Sequence, residues 1–141
     1  MAGTPGRWLA IAASVVVVAT VVAAIVAMGP PSQQREARLD ARRVQDLQRI
    51  VHAVDGYYAN HKALPADMAT LAAQPGWGLS TADPQGGTPY TYEVAGERAY
   101  RVCASFTTDT AKAADAPWTP DNWNHGIGRQ CFRQSVAKAA P

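Results

Sequence analysis

The chain has 141 residues, 48% of them hydrophobic and 17% charged, with a formal charge of +2 and a mean hydropathy of −0.16. That much apolar content with a negative mean requires uneven placement: 19 of the 21 residues from Trp8 to Met28 are hydrophobic, against 48 of the other 120. These figures exclude an ordinary cytosolic globule and a multi-pass membrane protein, leaving one membrane segment attached to one small, weakly apolar domain.

Residues 1–7 read as a short N-terminal tail and residues 8–28 as a transmembrane anchor, with membrane lipid as the expected partner of that segment. No ionisable side chain occurs between Arg7 and Arg35. At 1.5 Å per residue, 21 helical residues span roughly 30 Å, the thickness of a hydrocarbon core. Valine is a poor helix former in water, but in lipid a lone segment satisfies its backbone only as a helix. A cleaved signal peptide is the competing reading; the apolar run exceeds the usual ~7–15 residues, which favours an uncleaved anchor. The direction is contested. Arg35, Arg38, Arg42, Arg43 and Arg49 follow the span while Arg7 precedes it, so positive-inside counting puts the domain in the cytoplasm. Cys103 and Cys131, the only cysteines, instead have the arithmetic of one stabilising disulfide in an oxidising compartment.

Residues 29–36 read as a linker in which Pro30-Pro31 ends or kinks the membrane helix and Ser32 offers an N-cap for a new one. From Ala37 the pattern is amphipathic. Val44, Leu47, Val51, Val54 and Tyr58 recur at 3, 4, 3, 4 spacing, widened by Ile50 and Tyr57, and the helix runs to about Asn60-His61. Arg42, Arg43, Asp46, Arg49 and Asp55 are assigned to the opposite, solvated face. Five arginines beginning beside the bilayer also fit contact with anionic headgroups. Leu64-Pro65 is expected to start a short second helix with Met68, Leu71 and Ala72 on one face, stopped by Pro75-Gly76. Residues 76–89 are rich in turn formers. Tyr90, Tyr92 and Val94 then alternate with Thr91 and Glu93. Beyond Ala95-Gly96-Glu97-Arg98, the residues Tyr100, Val102, Ala104 and Phe106 alternate with Arg101, Cys103 and Ser105, which predicts a β-hairpin. Residues 107–122 read as irregular, 128–133 as a third strand, and 134–141 as a flexible tail.

The core of this domain, placed at 37–133, is thin. From residue 35 to 133 only 14 of 99 residues are Leu, Ile, Val or Phe, while eight are Trp or Tyr. Aromatics and a disulfide closing the 103–131 loop must therefore supply much of the stability. Of the three histidines, His52 flanks the helix stripe and His61 suits the helix C-terminus. Trp123-Asn124-His125-Gly126 reads as aromatic packing over a tight turn. A Cys103–His125 nucleophile would need a free thiolate, which a disulfide removes. Two separated cysteines are not a zinc set. There is no phosphate loop, dinucleotide glycine pattern or hydrolase motif. The span 35–133 is charge-neutral, with 11 basic and 11 acidic residues, so nucleic acid is not expected as a partner. No enzyme activity, cofactor or metal is expected.

The order of elements, with Asp46-Leu47, Ile50, Ala53-Val54, Tyr57-Tyr58, His61 and Leu64-Pro65, resembles the end of the long helix in type II secretion major pseudopilins. Asp83-Pro84-Gln85-Gly86-Gly87-Thr88-Pro89-Tyr90-Thr91-Tyr92 is similar to that family's Asp-Pro-x-Gly-x-Pro-Tyr-x-Tyr turn, one residue longer. Physically, Asp83 can accept backbone donors, Pro84 fixes φ, Gly86 and Gly87 supply positive φ, and Pro89 presets the entry to the strand that opens with Tyr90. The likeness covers residues 44–106. It does not extend to a prepilin leader: Gly6 precedes Arg7-Trp8-Leu9, and no acid occurs until Glu36. The resemblance implies an α+β, pilin-like fold in which a long amphipathic helix packs on a small antiparallel sheet. It also implies an extracytoplasmic domain on an inner-membrane anchor and protein partners in a secretion or pilus apparatus. A tethered binding module that reuses the fold without forming filaments is the alternative.

Overall fold

A computed structural model describes residues 4–28, 30–112 and 121–136. The chain divides at Arg35/Glu36 into two compact units, each taken by itself below.

The first unit is dominated by helix α1, Thr4–Met28. Its valines and isoleucines are exposed. The helix is long and apolar enough to cross a membrane. Its two polar side chains are satisfied internally. Ser14 Oγ donates to the Ala10 carbonyl at 2.9 Å, and Thr20 Oγ1 lies 3.0 Å and 2.8 Å from the carbonyls of Val16 and Val17. Neither hydroxyl needs a partner from its surroundings.

Helix α2 is Pro31–His61, longer at its start than the sequence reading. Pro31 takes the first helical position, where a missing N–H costs nothing. The Pro30 carbonyl accepts from Gln33 N at 3.1 Å and Gln34 N at 3.4 Å. Ser32 is therefore inside the first turn and is not the N-cap, and residues 31–36 are helix rather than linker. At the other end Lys62 has φ 57° and donates its N–H to the Tyr58 carbonyl at 2.8 Å, closing the helix with a left-handed residue.

The second unit is an α+β domain. Val44, Leu47, Ile50, Ala53 and Val54 of α2 are buried in one core with Leu71, Tyr90, Tyr100, Val102, Ala104, Phe106, Trp123, Phe132 and Val136. Helix α3 is only Met68–Ala72. It starts later than Leu64-Pro65 because Asp67 is the true cap, accepting from Thr70 N at 2.7 Å. Pro65 precedes it, buried, with its carbonyl accepting from Tyr92 Oη. Ala72, expected on the apolar face, is exposed.

Strands β1 (Thr91–Val94), β2 (Ala99–Phe106) and β3 (Gly128–Ser135) form an antiparallel sheet in the order β1-β2-β3. Tyr100, Val102, Ala104 and Phe106 face the core, as the alternation predicts. Val94, expected inward, is 49% exposed at the hairpin end. Gln134 and Ser135 belong to β3, and Val136 is buried and donates to the Arg98 carbonyl at 3.0 Å. The expected flexible tail therefore cannot begin at 134. Residues 1–3, 113–120 and 137–141, parts of the expected tails and irregular segment, lie outside the described residues.

Candidate functional site

The register places Cys103 opposite Cys131, and the two are joined in a disulfide with Cα atoms 4.1 Å apart. The hydrogen-bond phase explains why this position admits the bridge. Ala95 N bonds the Ala99 carbonyl and Val136 N bonds the Arg98 carbonyl, so odd residues of β2 bond toward β1 and even ones toward β3. Cys103 and Cys131 are thus a non-hydrogen-bonded pair, the closer-approaching kind. Neither cysteine is free, so the Cys103–His125 nucleophile has no thiolate. His125 is instead stacked on Phe106 with centroids 3.8 Å apart, while Trp123 packs on Phe132 at 4.7 Å. That is the aromatic packing expected of the Trp123–Gly126 segment.

The predicted turn is held against the side of α2 at Arg43. The Asp83 carboxylate accepts from its own loop, Gln85 N at 2.7 Å and Gly86 N at 3.1 Å. Asp83 N bonds the Thr88 carbonyl at 2.9 Å, and Gly87 donates back to the Asp83 carbonyl at 3.0 Å with φ 64°. Gly87 therefore needs its positive φ, but Gly86, expected to supply one as well, does not adopt it; Pro84 and Gly86 are exposed turn positions. The same phase that places the disulfide ends the sheet here. The β1–β2 pairing stops at Thr91 and Cys103, and Pro89, the next residue of that phase, has no N–H to extend it and bridges Ala82 instead. Tyr90 N turns away to the Thr81 carbonyl at 2.9 Å.

What holds this loop to the helix lies outside the turn motif. Arg43 reaches both oxygens of Asp83 and also pairs with Asp40 one turn earlier on α2. Asp40 in turn accepts from Thr107 N at 3.1 Å, Thr108 N at 2.7 Å and Thr108 Oγ1 at 2.6 Å. Asp40 is 2% and Arg43 4% exposed. One guanidinium between two carboxylates thus ties α2, the Asp83 loop and the chain leaving β2 into a single node. Burial pushes the Asp83 carboxyl up, but Arg43 and the Gln85 and Gly86 amides outweigh it and hold it below its ordinary range. Burial likewise works against charge on Arg43, and its bonds to Asp83 and Asp40 raise it above its usual value. Nearby, Tyr90 Oη donates to Asp46 at 3.1 Å; burial, then Asp46, drive that phenol above its ordinary range.

Two assignments to the solvated face of α2 are therefore corrected: Arg43 is buried, and Asp46 is partly buried against Tyr90. Arg42, Arg49 and Asp55 are exposed as expected. Asp40, Thr107 and Thr108 were not singled out from the sequence. The one local signal was an Asp-x-x-Arg pair at i, i+3 on the flank of the apolar stripe.

A cavity of about 330 Å³ lies between the Asp83 loop and the end of β2, with Arg43, Tyr90, Ser105, Thr107 and Arg129 among its walls. The outward face of the sheet beside it is basic. Glu93 meets Arg101 at 2.6 Å and Arg129 at 3.6 Å, and Arg133 stands across from Arg101. Among the described residues, no three His, Cys, Asp or Glu side chains gather as metal ligands would.

Fold and site together define an α+β domain, pinned by a buried ion cluster and a cross-strand disulfide, in a chain with one helix among the described residues long and apolar enough to span a membrane. No family model, curated protein or solved structure matches the chain.

Proposed function

We propose that this is a non-enzymatic, single-pass protein of the inner membrane whose pilin-like domain lies on the extracytoplasmic side. Its role is that of a pseudopilin-like component of a type II secretion or pilus apparatus. The observation that carries the reading is the pinning of the Asp83 turn to the long helix by Arg43. It makes the turn that resembles the pseudopilin segment a fixed part of a helix-on-sheet body rather than a loose connection. The disulfide supports the oxidising side of the membrane.

A second reading is a tethered module that binds protein without building filaments. It is favoured by the absence of any acid between Arg7 and Arg35, since the prepilins this chain resembles carry a glutamate near the start of the apolar helix.

Thiol alkylation in intact cells, with and without reductant, tests the location. Cys103 and Cys131 should resist modification until reduced; ready labelling without reductant would refute an extracytoplasmic domain. Electron microscopy of the sheared surface fraction then separates the two roles. Filaments containing this chain support the first, and their absence with the chain wholly in the membrane fraction supports the second.

A further inference from the structure

The span from residue 35 to 133 is neutral by count, with 11 residues of each sign, but among the described residues folding withdraws the two signs unequally. Asp40, Asp83 and Asp46 have side chains only 2%, 10% and 12% exposed, and the single base withdrawn with them is Arg43 at 5%. Among the described residues, taking these three negative charges and one positive charge inward shifts the balance left outside by two units toward positive.

Part of that surplus is concentrated on one stripe. Arg35, Arg38, Arg42 and Arg49 are all exposed on α2. At about 100° per residue they fall within roughly a 60° arc, and at 1.5 Å per residue they extend over roughly 21 Å. Arg35, Arg38 and Arg42 have no ion-pair partner among the described residues, and Arg49 is 66% exposed with Asp46 only at 3.9 Å. The helix bearing them begins three residues after α1 ends. Four guanidiniums in a row suit phosphate, which each can bind through two parallel N–H donors.

We infer that the α2 stripe Arg35/Arg38/Arg42/Arg49 binds the anionic phospholipid headgroups of the membrane that α1 spans. The inference rests on α1 being a membrane anchor. The occupant follows from charge complementarity and from the closeness in sequence of the stripe to the span. A polybasic segment next to a membrane helix meets a high local density of lipid phosphate, and its attraction fades beyond about a Debye length of 8–10 Å.

The test uses the full chain reconstituted in phosphatidylcholine vesicles and in vesicles that also contain phosphatidylglycerol. Arginines are modified with phenylglyoxal and followed site by site by mass spectrometry. Modification of Arg38 and Arg42 should slow by about threefold or more in the anionic vesicles, and recover in high salt. Arg101 and Arg133 on the sheet serve as internal controls and should change far less. Equal rates in the two vesicles, or equal slowing at the sheet arginines, overturns the inference. Equal slowing by polyphosphate added to phosphatidylcholine vesicles also overturns it, since the stripe would then read free polyanions. Alkaline carbonate extraction of the chain from both vesicles would refute the anchor, and the inference with it.

Discussion

Replacing Arg43 with methionine tests the buried node directly. The substitution keeps an apolar stem of similar reach and removes the guanidinium that faces Asp40 and Asp83. Removing one partner of a buried ion pair costs about 3–5 kcal/mol, because the remaining charge is left uncompensated. Here two carboxylates are stranded, but neither is left bare. Asp40 keeps the Thr107 and Thr108 donors, and Asp83 keeps the Gln85 and Gly86 amides. The lower end, about 3 kcal/mol, is therefore expected. For a domain near 100 residues that lowers the thermal midpoint by roughly 12–24 °C. The assay is thermal unfolding of the full chain in micelles, followed by near-ultraviolet circular dichroism of the aromatic core. A second variant, Arg43→Met with Asp83→Asn, should recover at least ~1 kcal/mol of the loss, since a neutral amide no longer requires the cation. A single-variant loss below about 1 kcal/mol with no recovery in the double variant would refute the role given to Arg43.

Replacing both Cys103 and Cys131 with alanine should cost about 3–4 kcal/mol, the chain-entropy value for the 28-residue separation, and reduction of the parent protein should lower its midpoint comparably. An unchanged midpoint would deny the bridge any part in stability. A Cβ added at Gly56 would lie 2.6 Å from Trp77 Cζ2, so Gly56→Ala should displace the indole, shift tryptophan emission to the red and cancel most of the helix-propensity gain of about 1 kcal/mol. In a Trp77→Ala background the same substitution should stabilise by about 0.5–1 kcal/mol; a loss there would place the obstruction elsewhere. Asp83 sits below its unfolded value of about 3.9, so its stabilising effect is complete above that pH and fades as pH falls through the lower folded value. Asp83→Asn should accordingly flatten the acid limb of a urea-midpoint titration below about pH 4, and parallel limbs in the two proteins would contradict the depression.

What could be read in advance was the part of the fold written in local periodicity. The stripe Val44, Leu47, Ile50, Val54 locates the buried face of α2. The alternation from Tyr100 to Phe106 gives β2 its inward side and puts Cys103 outward, where Cys131 meets it. The node was not legible, because its partners lie about 40 and 67 residues apart. Arg43 sits beside Val44 on the edge of the apolar stripe. Periodicity assigns such a flanking charge to solvent, and only the arrival of Asp83 and the Asp40 carboxylate makes its burial tolerable. The start of α3 failed for a smaller reason. Pro65 and Asp67 are both helix-initiating residues, and the side-chain bond to Thr70 decided between them.

The cross-strand bridge also fixes how the chain would yield under tension. The residues between Cys103 and Cys131 form a closed covalent ring, with a contour length of roughly 90 Å that a pull on the termini cannot release. A load entering from the N-terminal helix would pass through α2 to the Arg43 node and β1, and those must give way first. The β2–β3 pairs inside the ring, from Ala104–Gln130 to Phe106–Gly128, stay tied, whereas those from Ala99–Ser135 to Val102–Phe132 lie outside it and yield with the node. The node is thus the tear line of this domain and the ring its arrest point, so single-molecule extension should stop short of the full chain length until reductant is added.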